Sequence, residues 1–351
     1  MPDSEIDLFD EFAVELTADG TPTAPMVVVS LDAFGTETPD RIARTIERMN
    51  QALPLVIGVL RGPVTPGLAP LLEAATLTVA TDATASSLPQ AVVVDDVDAA
   101  LDLLRAAVRR SPRAAVACGQ LLRQTVRLPT VPALAAEAAV YSMLLGGTEF
   151  ERWLVERGAP RTVEPPSHPL VRTSRDDERL TITLDHPQRR NALSMRLREE
   201  LLEAVRLADL DPTLTTVEIN GAGPVFSSGG DLDEFGTATD LVAAYLVRLD
   251  GAPWRIIDRI RERVTVRAHG ACIGAGAEVA AFAGTVIAAP DTYFAFPEVR
   301  MGLVPGAGGT VSVPRRIGRW RAAWLMLTEQ RLAAAAALEW GMVDAVERTR
   351  R

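Results

Sequence analysis

The sequence is poor in the residues that build metal sites, disulfide frameworks and serine hydrolase triads. Its two cysteines, Cys118 and Cys272, lie far apart without metal-ligand spacing, so we predict two buried thiols, no disulfide and no metal site. Of the three histidines, His168 and His186 stand beside prolines, which leaves little for a Ser-His-Asp triad. There is no G-x-S-x-G elbow either, so a serine hydrolase is not expected.

Positive charge and long apolar runs are also scarce. The formal net charge of −10 argues against a dedicated nucleic-acid binder. No apolar run reaches the roughly 18 residues that a membrane span needs. The N-terminal stretch MPDSEIDLFDEF is acidic where a secretory signal would be basic. The sequence therefore predicts a cytoplasmic protein with neither a nucleic-acid nor a membrane partner, and 351 residues with 48% hydrophobic content suffice for a sizeable core.

The second half of the chain alternates strand and helix patterns. RLTITLDHP predicts a strand, a helix opens near Ser194, and TTVEING and ERVTVRAHG predict further strands. The small-residue stretch HGACIGAGAEVAAF follows, and TVIAAP predicts the next strand. This order of strand, turn, helix and strand predicts an α/β fold built from crossover units.

The first half shows a similar alternation of strand and helix patterns. Its segment PLVIGVLRGPVTPGLAPLLEAATLTVATDA parallels ERVTVRAHGACIGAGAEVAAFAGTVIAAPDT in the second half, which indicates an internal repeat. In the first copy PVTPGLAP replaces GACIGAGAE and carries no acid, so that copy has decayed. Two unrelated α/β segments could also produce the likeness. Between the halves, residues 163–178 are rich in proline and charge and predict a linker.

Small residues and isolated acids mark the candidate site. Glu278 lies in the apolar run after ACIGAGA, and Glu298 follows twenty residues later in similar surroundings. Gly229 and Gly230 in FSSGGDL let a ligand approach the main chain, and amides there and in ACIGAGAE could clamp a developing oxyanion. The alternative is that these glycines merely turn the chain. A nucleotide cradle is disfavoured because no G-x-G-x-x-G or Walker-type motif is present.

Three ordered motifs, FSSGGDLDEF, HGACIGAGAEVAAFAG and FPEVRMGLVPGAGGTVSVPRRIG, closely resemble the enoyl-CoA hydratase/isomerase family, or crotonase superfamily. The resemblance covers about residues 178–347. It implies a crotonase-like fold of repeated ββα units, a coenzyme A thioester as substrate and no further cofactor. It places the oxyanion-hole amides on Gly230 and Ala275 and the proton-transferring acids at Glu278 and Glu298. Ala275 departs from the more usual glycine, which leaves its amide as a donor but narrows its backbone freedom.

The resemblance also implies where coenzyme A would lie. The arginines between Arg189 and Arg198 are candidate phosphate contacts, although they also fit the solvated face of a helix. The predicted substrate or coenzyme A contacts are Arg189, Arg190, Ala192, Gly229, Asp231, Leu232, Gly274 and Gly276. Family members form trimers, so we expect a homo-oligomer: a trimer, a dimer of trimers or a reduced assembly.

The order of the helices differs from the family pattern. Family members usually continue beyond the position of GMVDAVE with helices that close the acyl pocket, whereas residues 111–160 of this chain look like that region. We predict a decayed crotonase-like domain with a helical lid at 1–160, a linker at 161–177 and a catalytic crotonase-like core at 178–351. An ordinary amphipathic helical hairpin is the alternative for residues 111–160.

These features predict an acyl-CoA enzyme, most directly a hydratase or dehydratase acting across the 2,3-bond of an enoyl-CoA. Double-bond isomerisation, decarboxylation and cofactor-free oxygenation of an arylacetyl-CoA are alternatives within the enzyme class. A non-catalytic acyl-CoA-binding subunit is the alternative from another class. Two carboxylates favour hydration, since an isomerase can work with one proton shuttle, and their retention argues against a non-catalytic role.

Overall fold

The computed structural model describes residues 15–161 and 166–347. The acidic N-terminal stretch and the middle of the predicted linker lie outside the described residues. The described chain is a mixed α/β structure, as predicted, with three sheets. Two buried free thiols, Cys118 and Cys272, also agree with the prediction.

The first half is built on a parallel sheet of four strands in sequential order. The strands are β1 (Met26–Ser30), β2 (Leu55–Leu60), β3 (Leu77–Ala80) and β4 (Ala91–Val93). The helices are α1 (Pro39–Gln51), α2 (Ala69–Ala74), α3 (Val97–Arg110), α4 (Pro112–Thr125), α5 (Thr130–Leu145) and α6 (Thr148–Arg157). Every residue of β2 is buried, because a parallel sheet is covered on both faces.

The second half holds a larger and a smaller sheet. Its strands are β5 (Val171–Asp176), β6 (Arg179–Leu184), β7 (Thr216–Gly221), β8 (Val264–Ala268), β9 (Ala271–Ile273), β10 (Thr285–Ala288), β11 (Tyr293–Ala295), β12 (Leu332–Ala333) and β13 (Ala345–Val346). Its helices are α7 (Met195–Leu210), α8 (Leu241–Asp250), α9 (Pro253–Arg259), α10 (Ala275–Ala280), α11 (Gly309–Ile317), α12 (Arg319–Thr328) and α13 (Ala334–Trp340).

The larger sheet has the strand order β13-β10-β8-β7-β6-β5, and the smaller one has the order β12-β11-β9. Strand–strand–helix units recur as β5-β6-α7, β8-β9-α10 and β10-β11-α11, in keeping with the expected ββα units. Strands β6, β7, β8 and β10 confirm the predicted strands. The predicted helix start is also confirmed, because the hydroxyl of Ser194 accepts a hydrogen bond from the amide of Leu197 at the start of α7.

One part of the linker prediction is wrong. Residues 171–176 form β5, which pairs antiparallel with β6 at the edge of the larger sheet. Only Val171 of this strand is buried, and its other residues are exposed. An edge strand with polar, exposed side chains leaves almost no apolar periodicity in the sequence, so its pattern resembles that of a linker.

The two halves share a large hydrophobic cluster, which runs from Leu55 in β2 to Val343 near the C-terminus. A second, smaller cluster of buried side chains lies within the first half. Helix α12 is buried along its length and packs against α3, α4 and β3 of the first half. No single described helix has both the length and the apolar character to cross a membrane, and only α5 and α6 taken as a pair bent by 67° pass that test.

Candidate active site

A cavity of about 670 Å³ is lined mostly by residues of the second half of the chain. Its walls include both acids singled out in the sequence, Glu278 and Glu298. They also include both residues whose amides are predicted to bind an oxyanion, Gly230 and Ala275. The fold therefore brings together four residues that span sixty-nine positions of the sequence.

Two glycine turns bring the loops of this cavity together. Gly229 has a φ of +91°, and a Cβ atom there would lie 3.0 Å from the carbonyl oxygen of Ile273 and 3.7 Å from the amide nitrogen of Ala275. Gly274 has a φ of +47°, and a Cβ there would lie 2.3 Å from Oε1 of Glu298. Only glycine fits both the backbone conformation and the space at these positions.

The two candidate oxyanion-binding amides are free to bind a ligand. Across residues 15–161 and 166–347, neither Gly230 nor Ala275 donates its backbone N–H to a protein acceptor. Ala275 is the first residue of α10 and is not among the residues with positive φ. The alanine at position 275 therefore causes no backbone strain, because the positive φ of the turn falls on Gly274.

Glu278 accepts hydrogen bonds from backbone amides at the start of α11, which begins at Gly309. Its Oε2 atom accepts hydrogen bonds from the amides of Ala307, at 2.7 Å, and Gly309, at 2.8 Å. Burial raises the pKa of this carboxyl well above its usual range, and the charges of Glu298 and Glu137 raise it further. The two N–H donors oppose this shift because they stabilise the ionised form.

Glu298 has a different environment. The side chain is 8% exposed, and its Oε2 atom is buried without a hydrogen-bond partner in the described part of the chain. Its backbone carbonyl accepts hydrogen bonds from the amides of Met301 and Leu303, which fixes the turn after the acid. Burial raises the pKa of Glu298 to about 8, so this carboxyl holds its proton at neutral pH.

A third buried carboxyl, which the sequence analysis missed, comes from the first half. Glu137 on α5 is 2% exposed, and its oxygens accept from the amides of Gly308, at 2.6 Å, and Thr310, at 2.9 Å. The Thr310 hydroxyl donates a third bond at 2.7 Å. Burial raises the pKa of Glu137 to about 7. Its signal in the sequence is a lone acid in the apolar run ALAAEAAVY.

Most of the predicted substrate or coenzyme A contacts do not line the cavity in the part of the chain that the structure describes. Asp231 lines the cavity, but it is paired with Arg189, which also pairs with Asp233. The carbonyl of the exposed Arg190 accepts a hydrogen bond from the amide of Ser228. The remaining predicted contacts are absent from the wall as the structure describes it, namely Ala192, Gly229, Leu232, Gly274 and Gly276.

The first half supplies part of the cavity wall. Tyr141 and Leu145, both on α5, line it, and so do Arg198 on α7 and Arg248 on α8. Arg157 on α6 donates to the carbonyl oxygens of Leu232 and Phe235, so α6 holds the loop that follows Gly230. None of these contributions from the first half is visible as a local motif.

Free amides beside buried carboxyls suit an enzyme that moves protons next to a developing oxyanion. Comparison with known proteins gives the family. The model of the enoyl-CoA hydratase/isomerase family matches residues 177–349. A probable enoyl-CoA hydratase of Mycobacterium bovis is 32% identical over 181 residues, which are 51% of this chain and 69% of that protein. The chain belongs to the enoyl-CoA hydratase/isomerase family.

Two further proteins are similar to about the same share of this chain. A 1,2-epoxyphenylacetyl-CoA isomerase of Escherichia coli is 34% identical over 169 residues, which are 47% of this chain and 64% of that protein. The crystal structure of an enoyl-CoA hydratase from Thermoplasma volcanium is 32% identical, with a TM-score of 0.46 over 51% of this chain and 72% of that one. Against three other relatives the chain spans 59% to 64% of their length.

Proposed function

We propose that this protein hydrates the 2,3-double bond of an enoyl-CoA thioester, or dehydrates the 3-hydroxyacyl product in reverse. The observation that carries the proposal is the shared cavity, whose wall holds the free amides of Gly230 and Ala275 and the carboxyls of Glu278 and Glu298. An acyl thioester bound there would have its carbonyl oxygen at the amides and its C2–C3 bond beside the acids.

In this reaction the two N–H groups would stabilise the negative charge that forms on the thioester oxygen. The oxygen of a water molecule bonds to C3 while that water gives one proton to Glu278. Glu298 gives its proton to C2, which consumes the enolate. The product gains one oxygen and two hydrogens, and a proton exchange between the two carboxyls or with water restores the site.

The environments of the two acids support this division of roles. Burial raises the pKa of Glu278 as well, but the hydrogen bonds that it accepts from two amides favour its ionised form and suit it to activate water. Glu298 has a buried oxygen without a partner among the described residues and a pKa of about 8, which suits it to donate a proton. Two carboxyls in unlike environments are the usual basis for paired acid and base chemistry.

Double-bond isomerisation is the second candidate. It is supported by the similarity to a trans-2-decenoyl-[acyl-carrier-protein] isomerase of Streptococcus mutans, which is 38% identical over 167 residues. An isomerase would need one carboxyl to carry a proton between two carbon atoms. In that case either Glu278 or Glu298 would be dispensable for turnover.

An assay with labelled water separates these possibilities. Purified protein is incubated with 2-enoyl- and 3-enoyl-CoA thioesters in oxygen-labelled water, and the products are analysed by mass spectrometry. Incorporation of one labelled oxygen at C3 supports hydration. A shift of the double bond without label supports isomerisation, and no change in any thioester of the panel would refute an enoyl-CoA activity.

The role of the first half belongs to the same proposal. We propose that residues 1–160 are a decayed crotonase-like copy whose helices complete the site of the second. Two observations support this role. Tyr141 and Leu145 line the cavity, and Glu137 on α5 accepts hydrogen bonds from amides at the start of α11. We also propose that the chain forms a homo-oligomer, which sedimentation analysis would test.

A further inference from the structure

Two arginines line the cavity from two helices of the second half. Arg198 on α7 and Arg248 on α8 both line it, and neither forms an ion pair with a carboxylate in the part of the chain that the structure describes. The nearby Glu234 instead accepts a hydrogen bond from the amide of Met195 through its Oε2 atom. The cavity wall therefore carries two guanidinium groups without a directly paired carboxylate among the described residues, although Glu234 and Glu199 act on Arg198, and Arg248 on Glu137, at longer range.

The contacts of Arg248 fix its position relative to the acids. Its Nη1 atom donates to the carbonyl oxygen of Gly306 at 3.0 Å, and its guanidinium carbon lies 3.6 Å from the centre of the Tyr141 ring. Its Nε atom is buried and has no hydrogen-bond partner among the described residues. Ala307, which follows Gly306, donates its amide to Glu278. Arg248 thus lies near the carboxyl of Glu278, on the side of the cavity where C2 and C3 of the acyl group would bind.

The two arginines also repel each other. Burial lowers the pKa of Arg198 and the charge of Arg248 lowers it further, whereas the charges of Glu234 and Glu199 oppose this shift. Two cations that repel each other in a partly buried wall are destabilising unless an anion lies between them. A guanidinium group presents a planar set of N–H donors that matches a carboxylate.

We propose that Arg198 and Arg248 bind a second negative charge on the acyl group, so that the preferred substrate is an enoyl-CoA whose acyl chain ends in a carboxylate. This inference rests on the proposed function. A phosphate of coenzyme A would offer similar chemistry. The position of Arg248 beside the Glu278-binding loop favours the acyl end, because the nucleotide end must extend from the thioester towards solvent.

The test compares two substrates of equal chain length, a 2-enoyl-CoA with a terminal carboxylate and its neutral methyl-ended counterpart. The wild-type protein should have the higher kcat/KM for the carboxylated substrate. In Arg198→Met the ratio of the two kcat/KM values should fall about 10- to 100-fold, the effect of one charge-assisted hydrogen bond. Arg198→Lys retains the charge and should keep a larger part of the preference than Arg198→Met does.

Arg206→Met is the matched control, because Arg206 lies on the same helix, is exposed and does not line the cavity. Its substrate ratio should equal that of the wild type. Thermal unfolding of each variant establishes that the protein is folded before rates are compared. Arg248→Met gives a second, independent measurement and should also lower the ratio.

The other outcomes separate this inference from the proposed function. Efficient turnover of the neutral substrate with no preference for the carboxylated one refutes the inference and leaves the hydratase proposal in place. An equal loss on both substrates in Arg198→Met, with weaker binding of free coenzyme A by calorimetry, assigns the arginine to a phosphate and also refutes it. If neither substrate reacts with the wild-type protein, the proposed function itself fails.

Discussion

Replacing Glu298 by glutamine should make the protein more stable at alkaline pH. Burial raises the pKa of Glu298 from 4.5 to about 8. Between these values the folded protein keeps a proton that the unfolded chain has released. The folded state binds more protons there, so the free energy of unfolding falls as the pH rises. Glutamine keeps the size of the side chain and has no proton to lose.

The size of the effect follows from the interval between the two pKa values. Each pH unit within it lowers the free energy of unfolding by about 1.4 kcal/mol, which gives an upper bound of about 5 kcal/mol for the whole interval. Glu298 shares its electrostatic environment with Glu137 and Glu278, so part of the shift belongs to the group. We expect Glu298→Gln to gain about 2 to 5 kcal/mol relative to wild type between pH 5 and pH 8.

Urea unfolding at a series of pH values measures this difference, provided that two optical probes give coincident transitions. The exposed Glu203 on α7 offers a control, and Glu203→Gln should follow the wild-type curve at every pH. Parallel stability curves for Glu298→Gln and wild type would show that this carboxyl does not retain its proton in the folded state. The assignment of Glu298 as the proton donor would then lose its physical basis.

Four further predictions concern the site and its supports. Glu278→Gln and Glu298→Gln should each lower kcat by about 10²- to 10⁴-fold with little change in Kd for the thioester, measured by steady-state kinetics and calorimetry; wild-type rates in both would make the acids structural. Gly274→Ala should abolish turnover, because a Cβ there would lie 2.3 Å from the Glu298 carboxyl at a φ of +47°, and a fully active variant would contradict this geometry. Glu137→Ala should lower the free energy of unfolding by about 1 to 3 kcal/mol, since it leaves the buried amides of Gly308 and Thr310 without an acceptor, and unchanged urea midpoints would argue against it. A truncated chain of residues 168–351 should be insoluble or inactive, because it loses part of its core and cavity wall; a soluble, fully active fragment would refute the lid role.

The main elements of the second half could be predicted because their signals are local. Alternating apolar residues mark β6, and a serine cap marks the start of α7. The strand β5 escaped prediction because an edge strand with exposed polar residues carries little periodicity. The glycine turns and the two acids of the second half were recognised because each lies in a short motif with an unusual composition.

Contacts between the halves could not be predicted in the same way. Glu137 meets Gly308 across 171 positions of the sequence, and no pattern within α5 specifies that partner. The pairing of Arg189 with two aspartates is also a tertiary property, and it leaves this arginine less free for a phosphate than its sequence indicated. An isolated charge in an apolar run indicates burial with a partner, but it does not identify the partner.

The start of α11 links the buried acid of the first half to the candidate site of the second. Glu278 accepts hydrogen bonds from the amides of Ala307 and Gly309, whereas Glu137 accepts from those of Gly308 and Thr310. The two carboxyls thus bind alternate donors of one segment, where the positive end of a helix dipole favours negative charge. A shift of Glu137 would move the donors that orient Glu278, so the geometry of the candidate site also depends on α5.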